Sequence, residues 1–159
     1  MVSQEKLEIR EVRVSEVRPL RTRVLRPWFE EGKLLVYDND EGMAARHFAA
    51  VDAVEQRVVG VVSYVRESIP VQGVVAGIRL RGMAVAEDLQ RQGVGSRLLS
   101  ESLATLASDH PGSNVWAAAR VAVVEFYGHH GFDPVGPRFE IPSVGPHQRM
   151  VCCLCAKNC

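Results

Sequence analysis

Residues 6–14 set Leu7, Ile9, Val12 and Val14 among charged neighbours in imperfect alternation, the period of a half-buried strand with a bulge expected near Glu11. Val17, Leu20 and Val24 then recur at i, i+3 and i+7. That spacing predicts a short helix with Ser15 as its N-cap, Pro19 in its first turn and an end before Pro27. Residues 28–43 are polar, contain Gly32 and Gly42 and show no sustained period, so a long loop follows. Residues 45–53 and 57–66, parted by Glu55 and Gln56, read as a hairpin, the second arm rich in Val and Tyr.

The apolar run 78–85 predicts the next strand. After the charged turn 87–90, Val94, Leu98, Leu99, Leu103 and Leu106 fall near one face of a long helix. Pro111 and Gly112 break that helix, and residues 114–119 form a short strand. Residues 122–130 predict a helix ended by Gly131, residues 132–135 a strand, and residues 149–155 a last strand after a Pro- and Gly-rich excursion. The order is therefore β-α-β-β-β-α-β-α-β-β. Early hairpins and a later strand-helix-strand crossover predict an α/β fold with a central mixed sheet, helices on both faces, and a parallel part beginning near Ile78.

Composition narrows the function. The chain has 159 residues, 19 basic and 19 acidic, so its formal net charge is zero. The length suits one domain over residues 1–159 with a core large enough to do without disulfides. Zero net charge supplies no broad attraction for nucleic acid or an anionic membrane, and neither is expected as a partner. Residues 1–14 carry charges throughout, unlike a signal peptide, and no run approaches the ~20 apolar residues of a membrane span. All four cysteines fall in the last eight residues, at Cys152, Cys153, Cys155 and Cys159. Such clustering is unlike a secreted disulfide scaffold, so the expected location is cytoplasmic.

The chemistry concentrates in residues 79–99. Gln92, Gly93, Val94, Gly95 and Ser96 lie where a strand's loop enters a helix. Backbone N–H groups there lack helical acceptors and can converge on a phosphate, aided by the helix dipole. Gly93 and Gly95 allow close approach, and Arg91 adds charge. The segment lacks both the third glycine of G-x-G-x-x-G and the Lys-Ser/Thr pair of the P-loop. Alone, a G-x-G of this kind also serves tight packing at a helix start.

Gln90-Arg91-Gln92-Gly93-Val94-Gly95 matches the Q/R-x-x-G-x-G/A signature of the GNAT N-acetyltransferases, and Phe126-Tyr127-Gly128-His129-His130-Gly131-Phe132 is similar to that family's F-Y-x-x-x-G-F segment. The chain thus resembles a GNAT enzyme over residues 78–132, most strongly at 82–99 and 120–132. Pro19-Leu20-Arg21 with Val24-Leu25-Arg26-Pro27, Arg81-Gly82-Met83, and Phe139-Glu140-Ile141-Pro142 with Gly145-Pro146-His147 resemble a bacterial subgroup. Ala117 and Ala118 depart from it, being small where polar residues are often seen.

The resemblance implies transfer of an acetyl group from acetyl-coenzyme A, as co-substrate, to an amine of a small molecule or peptide by direct attack in a ternary complex. It implies that residues 92–96 bind the pyrophosphate through backbone N–H groups. Met83, Ala84 and Val85 would pair with the pantetheine arm as an added strand, one of their N–H groups polarising the thioester carbonyl. Tyr127 would protonate the leaving thiolate, a phenol of ordinary pKa ~10 being well matched to it. Candidate bases are Glu67, Glu140 and His147, each of which also has an ordinary structural reading. His47, His129 and His130 are weaker candidates.

Arg79 and Arg81 alternate with Leu80 and should share one sheet face. With Glu67 nearby, that face suits an amine that also bears a carboxylate, or ion pairing between neighbouring strands. The run Cys-Cys-Leu-Cys-x-x-x-Cys lacks the two separated ligand pairs of a structural zinc site, and no metal is expected. Alternation puts Cys153 and Cys155 on one face and Cys152 on the other. Three classes therefore stand: an acetyltransferase, a coenzyme-A-binding module without turnover, and a thiol- or metal-responsive protein, each as monomer or homodimer.

Overall fold

The computed structural model describes residues 2–71 and 76–155. β1 (Leu7–Val12) pairs antiparallel with β2 (Arg46–Asp52) in unbroken register, from Leu7 opposite Asp52 to Val12 opposite His47. The bulge expected near Glu11 is thus absent. It lies on the other side of β2, against β3 (Arg57–Arg66), where Ala50 faces Gly60 but Val51 faces Val58. The extra residue, Val59, turns its carbonyl to the N–H of Ala86 at 2.8 Å, so a partner outside the hairpin satisfies it.

Between β1 and β2 comes α1 (Val14–Leu25). Arg13, and not Ser15, occupies the N-cap, because Glu16 at the third helical position accepts the Arg13 N–H at 2.9 Å and anchors the first turn one residue pair earlier. Pro19 consequently sits in the helix interior, beyond the first turn where it was expected. Thr22 Oγ1 donates to the Arg18 carbonyl at 2.7 Å and accepts the Leu35 N–H at 2.8 Å, tying the helix to the 26–45 loop. The helix ends before Pro27, as its sequence requires.

β4 (Gly77–Val85) runs parallel to β5 (Asn114–Arg120), and α2 (Val94–Asp109) buries the expected stripe of Val94, Leu98, Leu99, Leu103 and Leu106. The following helix is shorter than its pattern suggested. A 3-10 turn (Val121–Val123) precedes α3 (Val124–Gly128), a single turn closed by Phe132 N–H to the Tyr127 carbonyl at 3.1 Å. The largest departure is at the end. β6 (Asp133–Ile141) and β7 (Gly145–Cys153) make one long hairpin where a Pro- and Gly-rich excursion was expected. An irregularity between Val135 and Phe139 absorbs Gly136 and Pro137, and β6 is an edge strand, where a missing N–H breaks no inner ladder.

The seven strands are hydrogen-bonded in the order β1-β2-β3-β4-β5-β7-β6, a mixed sheet with the expected element order. By contact density the chain forms two compact units, Met1–Val65 with Gly82–Ser102, and Arg66–Arg81 with Leu103–Cys159. The first is cored by Val17, Leu20, Phe48, Val61 and Leu98, the second by Leu80, Val115, Leu106, Met150 and Leu154. Among the described residues no helix is long and apolar enough to cross a membrane.

Candidate active site

The segment from Ala86 to Arg97 belongs to the first unit. Past the 3-10 turn Glu87–Leu89 the chain adopts positive φ at Arg91 (62°) and Gly93 (85°) before entering α2. Left-handed residues of this kind turn successive N–H groups toward one side, the geometry of an anion-binding concavity. The first intrahelical bond runs from Arg97 N–H to the Gly93 carbonyl at 3.1 Å. The N–H groups of Val94, Gly95 and Ser96, one turn earlier, therefore have no helical acceptor. The turn is held from behind: Gln90 and Gln92 side chains donate to the Val85 and Asp88 carbonyls, and Gln4 Nε2 donates to the Gln92 carbonyl at 2.8 Å. Arg97 in turn donates to the Gln4 carbonyl. A Cβ on Gly93 would stand 3.1 Å from Gln4 Nε2. Thus the N-terminal turn Gln4–Lys6 braces this loop, a contact 88 residues apart that no local pattern announces.

Gly82 interrupts β4 with φ 64°, two residues past Leu80 opposite Ala117, where the ladder with β5 ends. Met83, Ala84 and Val85 follow it. A side chain at Gly82 would meet Arg21 Nε at 2.8 Å and Tyr37 at 3.0 Å, because the Arg21 guanidinium lies beneath the kink and over the Tyr37 ring at 4.6 Å. Arg21 is fully buried. Its two terminal nitrogens reach Asp40 Oδ2 at 2.6 Å and Oδ1 at 3.2 Å, and Nη2 also donates to Ser63 Oγ at 2.7 Å. The Ser63 O–H donates to His47 Nδ1 at 2.6 Å, while His47 Nε2 donates to the Asp40 carbonyl at 2.8 Å, a set of partners that fits neutral imidazole. Burial pushes the His47 pKa below its ordinary value, with the Arg21 and Arg18 charges acting in the same direction. For Asp40 burial works upward, but the Arg21 hydrogen bond and charge outweigh it and hold the carboxyl below the usual range. The cluster escaped the sequence reading, although Arg21, four residues after Val17 and beside Leu20, stands on the apolar face of α1. A charge at that position signals a buried partner.

The second unit carries the remaining candidates. Tyr127 is buried in α3, edge-to-face with Phe126 at 5.4 Å and Phe132 at 5.3 Å. Glu67 pairs with Arg79 at 2.8 Å, and its carbonyl accepts Trp116 Nε1 at 2.8 Å. His147 and Glu140 are not brought together: Phe139 is the residue opposite His147, whereas Glu140 pairs with Pro146 and lies on the other side of the β6–β7 ribbon. His147 is buried, with Nδ1 2.7 Å from the Gly145 carbonyl. A carbonyl only accepts, so Nδ1 carries the hydrogen and Nε2 is the nitrogen left to exchange a proton. His130 is engaged similarly with the Phe126 carbonyl at 2.8 Å. Cys152 points into the core and Cys153 to the opposite face. β7 stops at Cys153, so the expected alternation does not extend to Cys155, and Cys159 lies outside the described residues. Among the described residues no three His, Cys, Asp or Glu side chains gather as a metal site would require.

A separate open cleft of about 440 Å³ lies against the C-terminal end of α1, lined by Thr22, Arg23, Arg26, Phe29, Lys33 and Glu87 among others. Within it Arg23 faces Glu87 at 3.3 Å, Lys33 lies over Phe29 at 4.5 Å and Arg26 lies over Trp28 at 5.6 Å.

A left-handed turn into a long helix, preceded by a kinked strand that starts in a parallel pair, agrees with the resemblance to the GNAT N-acetyltransferases. The profile of the acetyltransferase (GNAT) domain matches residues 37–152. The chain therefore belongs to the GNAT family, enzymes that move an acyl group from acyl-coenzyme A to an amine. It is 28% identical over 141 residues to the uncharacterized N-acetyltransferase YitI of Bacillus subtilis, covering 89% of this chain and 92% of that one. Among solved structures it is similar to Escherichia coli ElaA, with a TM-score of 0.72 at 20% identity over 92% of this chain and 99% of the other. It is also similar to an acyl-CoA N-acyltransferase of Pseudomonas aeruginosa, with a TM-score of 0.67 at 17% identity over 92% and 99%.

Proposed function

We propose that the protein transfers an acetyl group from acetyl-coenzyme A to a primary amine of a small molecule or peptide by direct attack within a ternary complex. The observation that carries this reading is the entry to α2. There, positive φ at Arg91 and Gly93 and the absence of helical acceptors for the N–H groups of Val94, Gly95 and Ser96 fit a pyrophosphate. In this reading Gln92, Gly93, Val94, Gly95 and Ser96 hold the pyrophosphate, and Arg91, exposed at the rim, adds charge. Met83, Ala84 and Val85 align the pantetheine arm by backbone pairing, and one of their N–H groups stabilises the charge that develops on the thioester oxygen.

The bound co-substrate supplies the thioester carbon that the amine attacks. A C–N bond forms and the C–S bond breaks. Tyr127 delivers its phenolic proton to the departing sulfur, and His147 Nε2 takes the proton that the attacking nitrogen sheds. His147 is preferred as base over Glu67, whose carboxylate is paired to Arg79, and over Glu140, which is exposed on the other side of its ribbon.

Two measurements test the reading. Acetyl-coenzyme A at 100 times its Kd adds ~2.7 kcal/mol of stability, or roughly 5–11 °C in Tm for a chain of this size. No shift at millimolar ligand refutes the coenzyme site. Tyr127→Phe should keep that shift and lose at least tenfold in kcat for thiol release. Full turnover in this variant removes the acid role, and a wild-type protein that binds but releases no thiol with any amine is instead a coenzyme-binding module.

A further inference from the structure

The strand registers of the second unit put four arginines on one side of its sheet. Arg79 of β4 lies opposite Trp116, which lies opposite Val151. Next, Ala118 lies opposite Arg149, and beyond it Arg120 lies opposite His147. Paired residues share a face, so Arg79, Trp116, Ala118, Arg120, His147 and Arg149 all project to the same side, with Arg81 next on β4 by alternation. The opposite side is the core, where Leu80, Val115, Ala117, Ala119, Met150 and Cys152 are all buried. The four arginines and Ala118 are only half-buried. Of the two alanines that depart from the subgroup's pattern, only Ala118 opens onto this face, and its methyl leaves the floor low among the guanidinium groups.

Glu67 answers Arg79, and Asp133, opposite Val151, stands exposed at the outer strand. Arg149 is engaged by a ring and not by a carboxylate, its guanidinium carbon 4.4 Å above Phe139. The Nε atoms of both Arg149 and Arg79 are buried without a hydrogen-bond acceptor. A buried guanidinium N–H without an acceptor carries a desolvation cost that an incoming oxyanion would remove. The planar fork of Arg149, fixed by stacking, is preorganised for a carboxylate.

We propose that this face is the acceptor subsite and that the acceptor is an amine that also carries a carboxylate, an amino-acid-like zwitterion. Arg149 holds the carboxylate, Arg79 neighbours it, and Glu67 supplies the negative charge that draws the ammonium end. The proposal rests on the acyl-transfer reading and names its substrate class. A neutral chain can thus select a carboxylate-bearing acceptor, because Arg79, Arg81, Arg120 and Arg149 are gathered on one side of three strands while the sum over the sequence stays at zero.

The test is kcat/KM for thiol release from acetyl-coenzyme A with amines matched except for the carboxylate: L-phenylalanine against phenethylamine, and 5-aminopentanoate against pentylamine. In the wild type at least one carboxylate-bearing member should exceed its partner by tenfold or more, with KM rising as salt is added. Arg149→Gln should reduce that preference about tenfold to a hundredfold, the range expected for a lost charged hydrogen bond, mainly through KM. Arg149→Lys, which keeps the charge without the fork, should fall between. Equal or better use of the plain amines by the wild type overturns the proposal and leaves the acetyltransferase reading standing, as does an Arg149→Gln protein that slows both members alike. Stabilisation by acetyl-coenzyme A with no turnover of either carboxylate-bearing amine likewise overturns the acceptor class while sparing the coenzyme site. Absence of any stabilisation by acetyl-coenzyme A overturns both.

Discussion

Replacing Arg21 by Met keeps the length and apolar volume of the side chain in α1 but strips Asp40 of its two guanidinium contacts at 2.6 and 3.2 Å. The Asp40 side chain is 1% exposed, so its charge would stay in the interior without its guanidinium fork, near the Tyr37 N–H at 3.3 Å and Arg18 Nε at 3.6 Å. Breaking one partner of a buried pair costs about 3–5 kcal/mol. Against a total stability of about 5–15 kcal/mol that is a large share. At 2–4 °C per kcal/mol it lowers Tm by roughly 6–20 °C. The origin of the loss, a stranded carboxylate, can be separated from lost packing by a second substitution. Asp40→Asn in the Arg21→Met background removes the charge and should recover about 2 kcal/mol or more. Without the guanidinium, burial dominates at Asp40 and carries its pKa above the unfolded value of 3.8. The single mutant should therefore lose less, relative to wild type, at pH 4.5 than at pH 7.5. Guanidinium unfolding curves at both pH values for the four proteins of the cycle provide the measurement. An Arg21→Met cost below about 1 kcal/mol, or a double mutant as unstable as the sum of the singles, refutes the account. The same guanidinium fills the space beneath Gly82, immediately before Met83, so Arg21→Met should also raise the KM for acetyl-coenzyme A.

Acid should destabilise the protein in two windows. The His47 pKa is depressed by folding, so below about pH 6.5 the unfolded chain binds a proton that the native state refuses. Stability falls from there until the native imidazole also titrates, with a slope of up to ~1.4 kcal/mol per pH unit. A second loss comes as pH falls through 3.8 toward the depressed native value of Asp40. In His47→Gln the first slope should vanish, and its persistence would assign the effect elsewhere. At the α2 entry, Gly93→Ala forces an L side chain to φ 85° and presses a methyl to 3.1 Å from Gln4 Nε2. It should cost about 1–2 kcal/mol of stability and weaken acetyl-coenzyme A at least tenfold, read by calorimetric titration. Unaltered affinity would detach the loop from coenzyme binding.

Local signals carried most of the fold. The stripe of Val94, Leu98, Leu99, Leu103 and Leu106 and the alternation around Ile9 are short-range patterns, and each produced its element. One error is local, a helix cap that lies two positions earlier than expected, and the others lie where chain neighbours do not decide. Pro19 stands in a helix interior because Glu16 caps that helix at Arg13, and the bulge belongs to Val59 because Ala86 needs its carbonyl. Residues 136–148 form a hairpin because β7 lies beside β5, a partner that Pro and Gly counts cannot reveal.

The sequence by itself determined the family, the element order and the glycine-rich turn into α2, since a glycine-rich helix start and the F-Y-x-x-x-G-F segment are contiguous and read by local chemistry. Only the tertiary structure decided what the polar residues are for. It put Arg21 against Asp40, Ser63 and His47 and not in solvent, separated Glu140 from His147, and aligned Arg120 and Arg149 with Arg79. Those outcomes depend on strand register and burial across 7 to 70 residues of chain, and the energies that fix them, desolvation and charge pairing, exist only after the core excludes water.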